Sequence, residues 1–337
     1  MPEFLDKNNT IKIMNKLGHG NCPFFFLISF DQNKNLVEAL DEINPDEIKF
    51  KIETDKEVIS NFAYQNLNGR FEILPKETDF ETYHKAFSFV KNEIHVGNSF
   101  LVNLTLSTPI KINRAPEEIV KSLKSRYVLW LKDEFLCFSP ESFVEVYEEG
   151  KISSFPMKGT INANLENARE IILNDQKEFF EHTTIVDLIR NDLSKVSEKV
   201  WVERFRFLDE ITKENGQKLL QVSSEVCGNL PKNWKENIGE WFMQLLPAGS
   251  ITGAPKDKTC EIIVKAEKAL HKNGKRGHYT GVFGIFDGKR LISAVAIRFL
   301  EQHPNGLYYK SGGGITARSE AEKEFEEVKQ KIYVPVF

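Results

Sequence analysis

The sequence predicts a fold of mixed α and β structure, and three observations predict it. A short apolar run over 23–30, Pro23-Phe24-Phe25-Phe26-Leu27-Ile28-Ser29-Phe30, is closed by the turn formers Asp31 and Asn33, as a buried strand would be. Over 81–95 the apolar residues Tyr83, Phe87, Val90 and Ile94 recur at helical spacing, and Gly97-Asn98 stops that helix before a strand-like stretch at 100–106. The segments 127–131, 143–147, 281–286 and 291–299 are rich in β-branched and aromatic residues and are separated by Gly, Asp or Glu-Gly turns. The N-terminus therefore feeds a sheet. Two long helical patterns, 176–193 and 319–332, complete the set, and no internal repeat or low-complexity segment interrupts it.

Composition narrows the function. The 337 residues carry no Ser/Pro-rich linker, so one large domain with an N-terminal extension fits best. A formal net charge of -4, with both signs mixed along the chain, offers no basic stripe for a phosphate backbone, which argues against nucleic acid. Phe alone numbers 26, enough for a sizeable core, yet no apolar run approaches the roughly 18 residues of a membrane span. The four cysteines form no CxxC pair, which argues against a zinc site or disulfide framework, and with no signal peptide pattern the expected location is the cytoplasm.

Carboxylates on apolar faces carry the first chemical signal. In the 176–193 pattern Glu181 shares a stripe with Thr184, Ile185, Leu188 and Ile189, so the acid points where a core should be. In the 319–332 pattern Ser319 and Glu322 read as a capping box, and Glu324 lies on the side of Ala321, Phe325, Val328 and Ile332, with Glu327 following. Carboxylates on two helices suit a hard, oxygen-seeking cation such as Mg²⁺. Each glutamate taken singly reads more readily as the partner of a surface Lys or Arg, and it is the other motifs that favour the cation.

Two glycine-rich stretches offer backbone N–H groups to an anion: Gly312-Gly313-Gly314 after a strand pattern, and 249–256, where Pro255 is placed as a first helical residue. The second lacks the Gly-Lys-Ser/Thr ending of a nucleotide-binding P-loop, which excludes ATP on that ground. In Pro156-Met157-Lys158-Gly159-Thr160 a lysine stands between an apolar residue and a glycine. Desolvation there would favour its neutral, nucleophilic form, whereas the ordinary alternative is a lysine snorkelling from a strand edge.

Together these stretches resemble the chorismate-utilising family, which includes anthranilate synthase component I, aminodeoxychorismate synthase component I and isochorismate synthase. The resemblance runs from about 83 to 331 through SPESF at 139–143, PMKGT at 156–160, FEHTTIVDLIRNDL at 180–193, AGSITGAPK at 248–256, YTGVFG at 279–284, AVAIR at 294–298 and GGGITARSEAEKEFEEVKQK at 312–331. It implies an α+β fold of the anthranilate synthase component I type, with two large, mainly antiparallel sheets facing each other and helices outside. Residues 1–78 are then an N-terminal segment contributing strands, and 79–337 a chorismate-binding catalytic domain.

The resemblance also implies roles. Glu181, Glu324 and Glu327 would hold Mg²⁺, which holds the ring carboxylate of chorismate. Thr160, Gly249, Ser250, Tyr279, Arg298, Gly312, Gly313, Gly314 and Lys331 would bind substrate, and Glu141 would be the general acid for the hydroxyl leaving ring carbon 4. Lys158 stands where anthranilate and isochorismate synthases carry alanine and aminodeoxychorismate synthases carry lysine. There the lysine adds at carbon 2 and ammonia then adds at carbon 4, giving 4-amino-4-deoxychorismate, the precursor of 4-aminobenzoate and folate. Anthranilate synthase component I is the alternative, and a non-catalytic chorismate-binding homologue a further one.

Leu101 and Gln221 depart from the pattern, since relatives with ammonia chemistry carry glutamine and histidine there. No tryptophan-inhibition motif is evident. With no cysteine in a nucleophile-elbow context, ammonia is expected from a separate glutamine amidotransferase subunit, and a downstream aminodeoxychorismate lyase is expected to release 4-aminobenzoate.

Overall fold

The computed structural model describes residues 3–54, 56–66, 71–212 and 216–335. Its frame is two nine-stranded sheets. In the first, the order is Met157–Asn162, Lys218–Asn229, Lys151–Ser154, Ser142–Val146, Leu291–Val295, Val282–Phe286, Phe24–Ile28 and Leu36–Ala39, with Lys199–Thr212 also on Lys218–Asn229. In the second it is Gly253–Ala254, Leu101–Ile112, Gly306–Ile315, Phe299–His303, Phe135–Ser139, Tyr127–Leu131, Ile48–Glu53 and Val58–Ser60, with Ile73–Pro75 on Leu101–Ile112. The pairings described are antiparallel, as the resemblance implied.

The strand Phe24–Ile28 shows why the apolar run lacks polar alternation. Successive side chains of a strand point to opposite faces. Phe24, Phe26 and Ile28 join a core shared with Ile185, Ile189, Trp241 and Phe242 of the helical layer. Phe25 and Leu27 instead enter a core shared with Phe50, Leu129 and Phe299 of the second sheet. The first sheet is thus covered on both faces, by helices on one and by the other sheet on the other. A third core packs Tyr83, Phe87, Val90 and Ile94 of the Phe80–His95 helix against Leu104, Ile262, Phe325 and Val328, so the predicted helical stripe is the buried one. Among the described residues no helix is long and apolar enough to cross a membrane.

Three local expectations are corrected. The stretch 291–299 is two strands, Leu291–Val295 and Phe299–His303, belonging to different sheets. The chain turns between them at Arg298, whose φ of 54° lies in the left-handed region and ends the extended run. The capping box is not formed: Glu320 is the N-cap of the Ala321–Gln330 helix without a side-chain bond, and Ser319 Oγ instead accepts from the Thr316 N–H at 3.1 Å. Pro255 is the N-cap, with extended ψ of 140°, and the helix begins at Lys256.

Candidate active site

The strand Met157–Asn162 shifts register against Lys218–Asn229 between Met157 and Thr160, and Lys158 and Gly159 occupy that shift. Gly159 has φ +92°, which is what favours glycine there, and a β-carbon would stand 2.9 Å from Glu178 Oε2 and displace that carboxylate. The bulge re-aims Lys158 towards the Gln176–Ser194 helix, where Nζ meets Glu181 Oε2 at 2.9 Å. Asp175 caps that helix by accepting from the Glu178 N–H at 2.9 Å.

The expectation of a desolvated, neutral lysine is corrected by this geometry. The Lys158 side chain is 41% exposed. Burial pulls its pKa down, but Glu181, with help from Glu178 and Glu327, outweighs burial and holds it above the ordinary lysine value. Glu181 likewise does not enter the core: it is half-buried and paired with Lys158 and, at 3.8 Å, with Lys177.

The other two carboxylates arrive from the Ala321–Gln330 helix. A β-carbon on Gly313 would lie 3.5 Å from Glu324 Oε2, 3.8 Å from Lys331 Nζ and 3.9 Å from Glu327 Oε1, so these three side chains converge over one glycine of the strand Gly306–Ile315. Lys331 Nζ donates to the Gly312 carbonyl at 2.8 Å and pairs with Glu327 at 2.8 Å. Burial, then the proximity of Glu327, pushes Glu324 up; Glu327 is pushed up by burial but drawn lower overall by Lys331. Among the described residues no three His, Cys, Asp or Glu side chains stand close enough to hold a metal ion as they are. The donor chemistry nevertheless fits a hard cation, because burial and repulsion from Glu327 together outweigh Ser319, Lys331 and Lys158 at Glu324, and the ammonium of Lys158 is the charge that Glu181 and Glu327 now share.

A cavity of about 350 Å³ opens between these elements, at the lower end of small-molecule sites, and is lined by Glu141, Lys158, Glu181, Ser250, Glu327, Lys331 and the Gly312–314 run. On the wall formed with Pro156 and Ser250, Glu141 accepts a hydrogen bond from Ser250 Oγ at 2.6 Å. Burial raises the Glu141 pKa, while Ser250 and the Arg298 guanidinium oppose the rise. A proton held on a carboxyl at higher pH suits a general acid. Removing the opposing hydrogen bond in Ser250→Ala raises the pKa further. Activity that needs protonated Glu141 falls as pH rises through that pKa, so the alkaline limb of the kcat/KM profile moves to higher pH in S250A. An unmoved or lowered limb in a pH series would show that Glu141 is not the acid.

Five expected site residues do not line the cavity. Thr160 is exposed on its strand, opposite Gln221. Gly249 is packed on the Gln176–Ser194 helix, where a β-carbon would stand 2.9 Å from Asp192 Oδ2. Tyr279 is buried in the intersheet core with its ring on Phe299. Arg298 lies over the Tyr333 ring at 4.8 Å, with its Nε buried and lacking a hydrogen-bond partner, and its charge reaches Glu141. Glu324 stands behind Glu327 over Gly313. Lys256, of the second glycine-rich stretch, is buried on Asp192 at 2.6 Å and on the Leu245 carbonyl at 2.9 Å, so it braces the turn instead of facing an anion.

Sequence reasoning missed what holds the walls together. Arg276, buried to 2% exposure, donates to Glu267 at 2.8 and 2.7 Å, to the Ile251 carbonyl at 2.8 Å and to the Asn103 carbonyl at 2.6 Å. Asn103 lines the cavity, and Ile251 sits between the lining residues Ser250 and Thr252. The guanidinium therefore clamps the strand Leu101–Ile112 to the 249–252 turn. Glu267 Oε1 also accepts from the Thr105 N–H at 2.8 Å. In the sequence both residues sit among ordinary surface-like charges, and nothing in their spacing marks them as a buried pair.

Residues 15–336 match the sequence profile of the chorismate binding enzymes. The chain belongs to that family. It is an enzyme acting on chorismate. An uncharacterised PabA-like protein of Haemophilus influenzae is 46% identical over 97% of this chain and 96% of its own length, and a second from Pasteurella multocida is 44% identical over 97% and 98%. Aminodeoxychorismate synthase component 1 of Bacillus subtilis is 28% identical over 74% of this chain and 54% of its own. In fold, the chain is similar to the menaquinone-specific isochorismate synthase MenF of Escherichia coli, with a TM-score of 0.71 at 16% identity over 97% of this chain and 81% of the other.

Proposed function

We propose that this chorismate-binding enzyme places ammonia on ring carbon 4 of chorismate, giving 4-amino-4-deoxychorismate, as the synthase component I of a two-part system. The observation that carries the reading is that Lys158 and Glu141 line one cavity, the amine with the carboxylates and the acid beside Ser250. A lysine amine and a carboxyl with a raised pKa are what a displacement needs when the nucleophile enters at carbon 2 and the hydroxyl leaves carbon 4 as water.

In this reading Lys158 passes its ammonium proton to solvent, to which its side chain is 41% exposed, and its Nζ bonds to carbon 2. The ring double bond shifts, and the carbon 4–oxygen bond breaks as Glu141 protonates the oxygen, releasing water. Ammonia then bonds to carbon 4, the double bond shifts back, the carbon 2–Nζ bond breaks with its electron pair returning to Lys158, and the proton lost by the new amine re-protonates the site. The enolpyruvyl group stays in place. Lys331 and the Gly312–314 run supply cationic and backbone groups for the substrate carboxylates. Glu181, Glu324 and Glu327 would hold Mg²⁺, which supplies positive charge for the ring carboxylate.

A separate glutamine amidotransferase would supply the ammonia, and an aminodeoxychorismate lyase would take the product towards 4-aminobenzoate in the cytoplasm. The PabA-like naming of the H. influenzae and P. multocida relatives supports a place in such a system. Chelation tests the metal: EDTA is expected to abolish chorismate consumption and excess Mg²⁺ to restore it, whereas full activity in EDTA would assign the three glutamates to Lys158 and Lys331 alone.

A further inference from the structure

The helix residue next to Glu181 has no role in the reaction as described, yet one of its two buried ring nitrogens is left unsatisfied. His182 is fully buried. Its Nε2 lies 2.7 Å from Ser224 Oγ. That hydroxyl accepts from the Arg206 N–H at 2.9 Å and keeps its own proton to give; with the Lys158 backbone beside Nδ1, the arrangement that serves both nitrogens has Nε2 as the acceptor. The remaining proton of the neutral ring is then on Nδ1. Nδ1 is buried and makes no hydrogen bond of good geometry, and the Lys158 backbone is the group beside it.

Ser224 also anchors the strand on the other side, because its N–H donates to the Pro156 carbonyl at 3.0 Å. Between that anchor and Thr160 the register shifts, leaving the 158–159 peptide without a registered partner on Lys218–Asn229. The same peptide leads into Gly159, where Glu178 Oε2, a second buried atom without a partner, occupies the space a β-carbon would need. A peptide in a bulge, an unused N–H donor aimed at it and a glycine that lets it turn make a unit with one free setting.

We infer that His182 is a positioning residue: its Nδ1–H closes on the Lys158 carbonyl and so sets the direction of the Lys158 side chain in the cavity. The inference rests on the reaction proposed above for what Lys158 does, but the contact itself does not. Leaving a buried donor without an acceptor is costly, so the closed bond is the favoured setting once the bulge is free to take it. His182 does not line the cavity, so it acts on the amine and not on the substrate.

Two substitutions separate its nitrogens. Asparagine places an amide N–H where Nδ1 stands, and glutamine reaches the place of Nε2 and keeps the Ser224 contact. His182→Gln is expected to lower kcat by roughly 10- to 100-fold, as misplacement of a reacting group by about 1 Å does, with KM for chorismate within about threefold of wild type. His182→Asn is expected to recover most of that kcat. Equal kcat in the two variants, or losses in KM and melting temperature that track each other in both, would overturn the inference.

Backbone amide exchange of the 156–160 segment, followed by mass spectrometry in the intact protein, needs no turnover. It should be faster in H182Q than in H182N, and equal rates would also overturn the inference. A wild-type enzyme that fails to aminate chorismate while the exchange difference persists would sink the proposed reaction and leave the positioning contact standing.

Discussion

Lys158→Ala is expected to lower amination of chorismate by about 10³-fold or more in kcat while leaving chorismate binding within a few-fold of wild type. The size follows from the role. A nucleophile that splits one difficult displacement into two steps is not replaced by solvent, and the remaining groups retain only binding and general acid assistance. Binding persists because Lys331 and the Gly312–314 run remain in the cavity. The variant also frees Glu181, whose 2.9 Å ion pair is lost. Lys158→Arg keeps that ion pair but not the nucleophile, since guanidinium stays protonated. Loss of activity in both variants, with binding retained, identifies nucleophilic catalysis, whereas an active arginine variant would reduce Lys158 to a counter-ion.

Arg276→Met is expected to destabilise the fold by about 3–5 kcal/mol, the cost of leaving one partner of a buried ion pair uncompensated. In a thermal melt this is a fall of roughly 5–15 °C. The effect is large because Glu267 is 2% exposed and would keep its charge with only Thr105 and His271 for partners. Burial alone would push the Glu267 pKa up, yet the Arg276 guanidinium holds it at about 2, below the ordinary 4.5. A depressed carboxylate pKa contributes stability above the unfolded value, and that contribution is lost as pH falls from 4.5 towards 2. Arg276→Met should therefore flatten the acid side of the stability profile. The double variant Arg276→Met with Glu267→Met should be less destabilised than the sum of the single changes. Strict additivity in melts of the single and double variants would show that the two side chains act independently.

Much of the fold was legible because periodicity reports burial. The Tyr83-Phe87-Val90-Ile94 stripe and the 23–30 run became the predicted helix and strand, since their apolar spacing has few other ways to be buried. The division into two sheets was not legible from spacing, because a strand covered on both faces, such as Phe24–Ile28, lacks the alternation that would say which neighbour takes which side chain. It came from the resemblance. The turn at Arg298 was missed for a related reason: 291–299 is mostly apolar and holds no Gly, Pro, Asn or Asp to announce a left-handed residue.

At the site, Glu141, Lys158, Glu181, Glu327 and Lys331 were named from motifs and do meet in one cavity. Their charge states were not legible, because Lys158 depends on carboxylates from two helices distant in sequence. Arg276 and Glu267 escaped altogether, since burial of a charged pair is a property of the folded walls and leaves no periodic trace.

The central claim is that this chorismate-binding enzyme aminates carbon 4. The most direct test incubates the purified protein with chorismate, Mg²⁺ and a high ammonium concentration, identifies the product by mass spectrometry and adds aminodeoxychorismate lyase to a parallel tube. The account predicts a product that retains the enolpyruvyl group and yields 4-aminobenzoate only with the lyase; direct formation of anthranilate or isochorismate, or no consumption of chorismate, would contradict it.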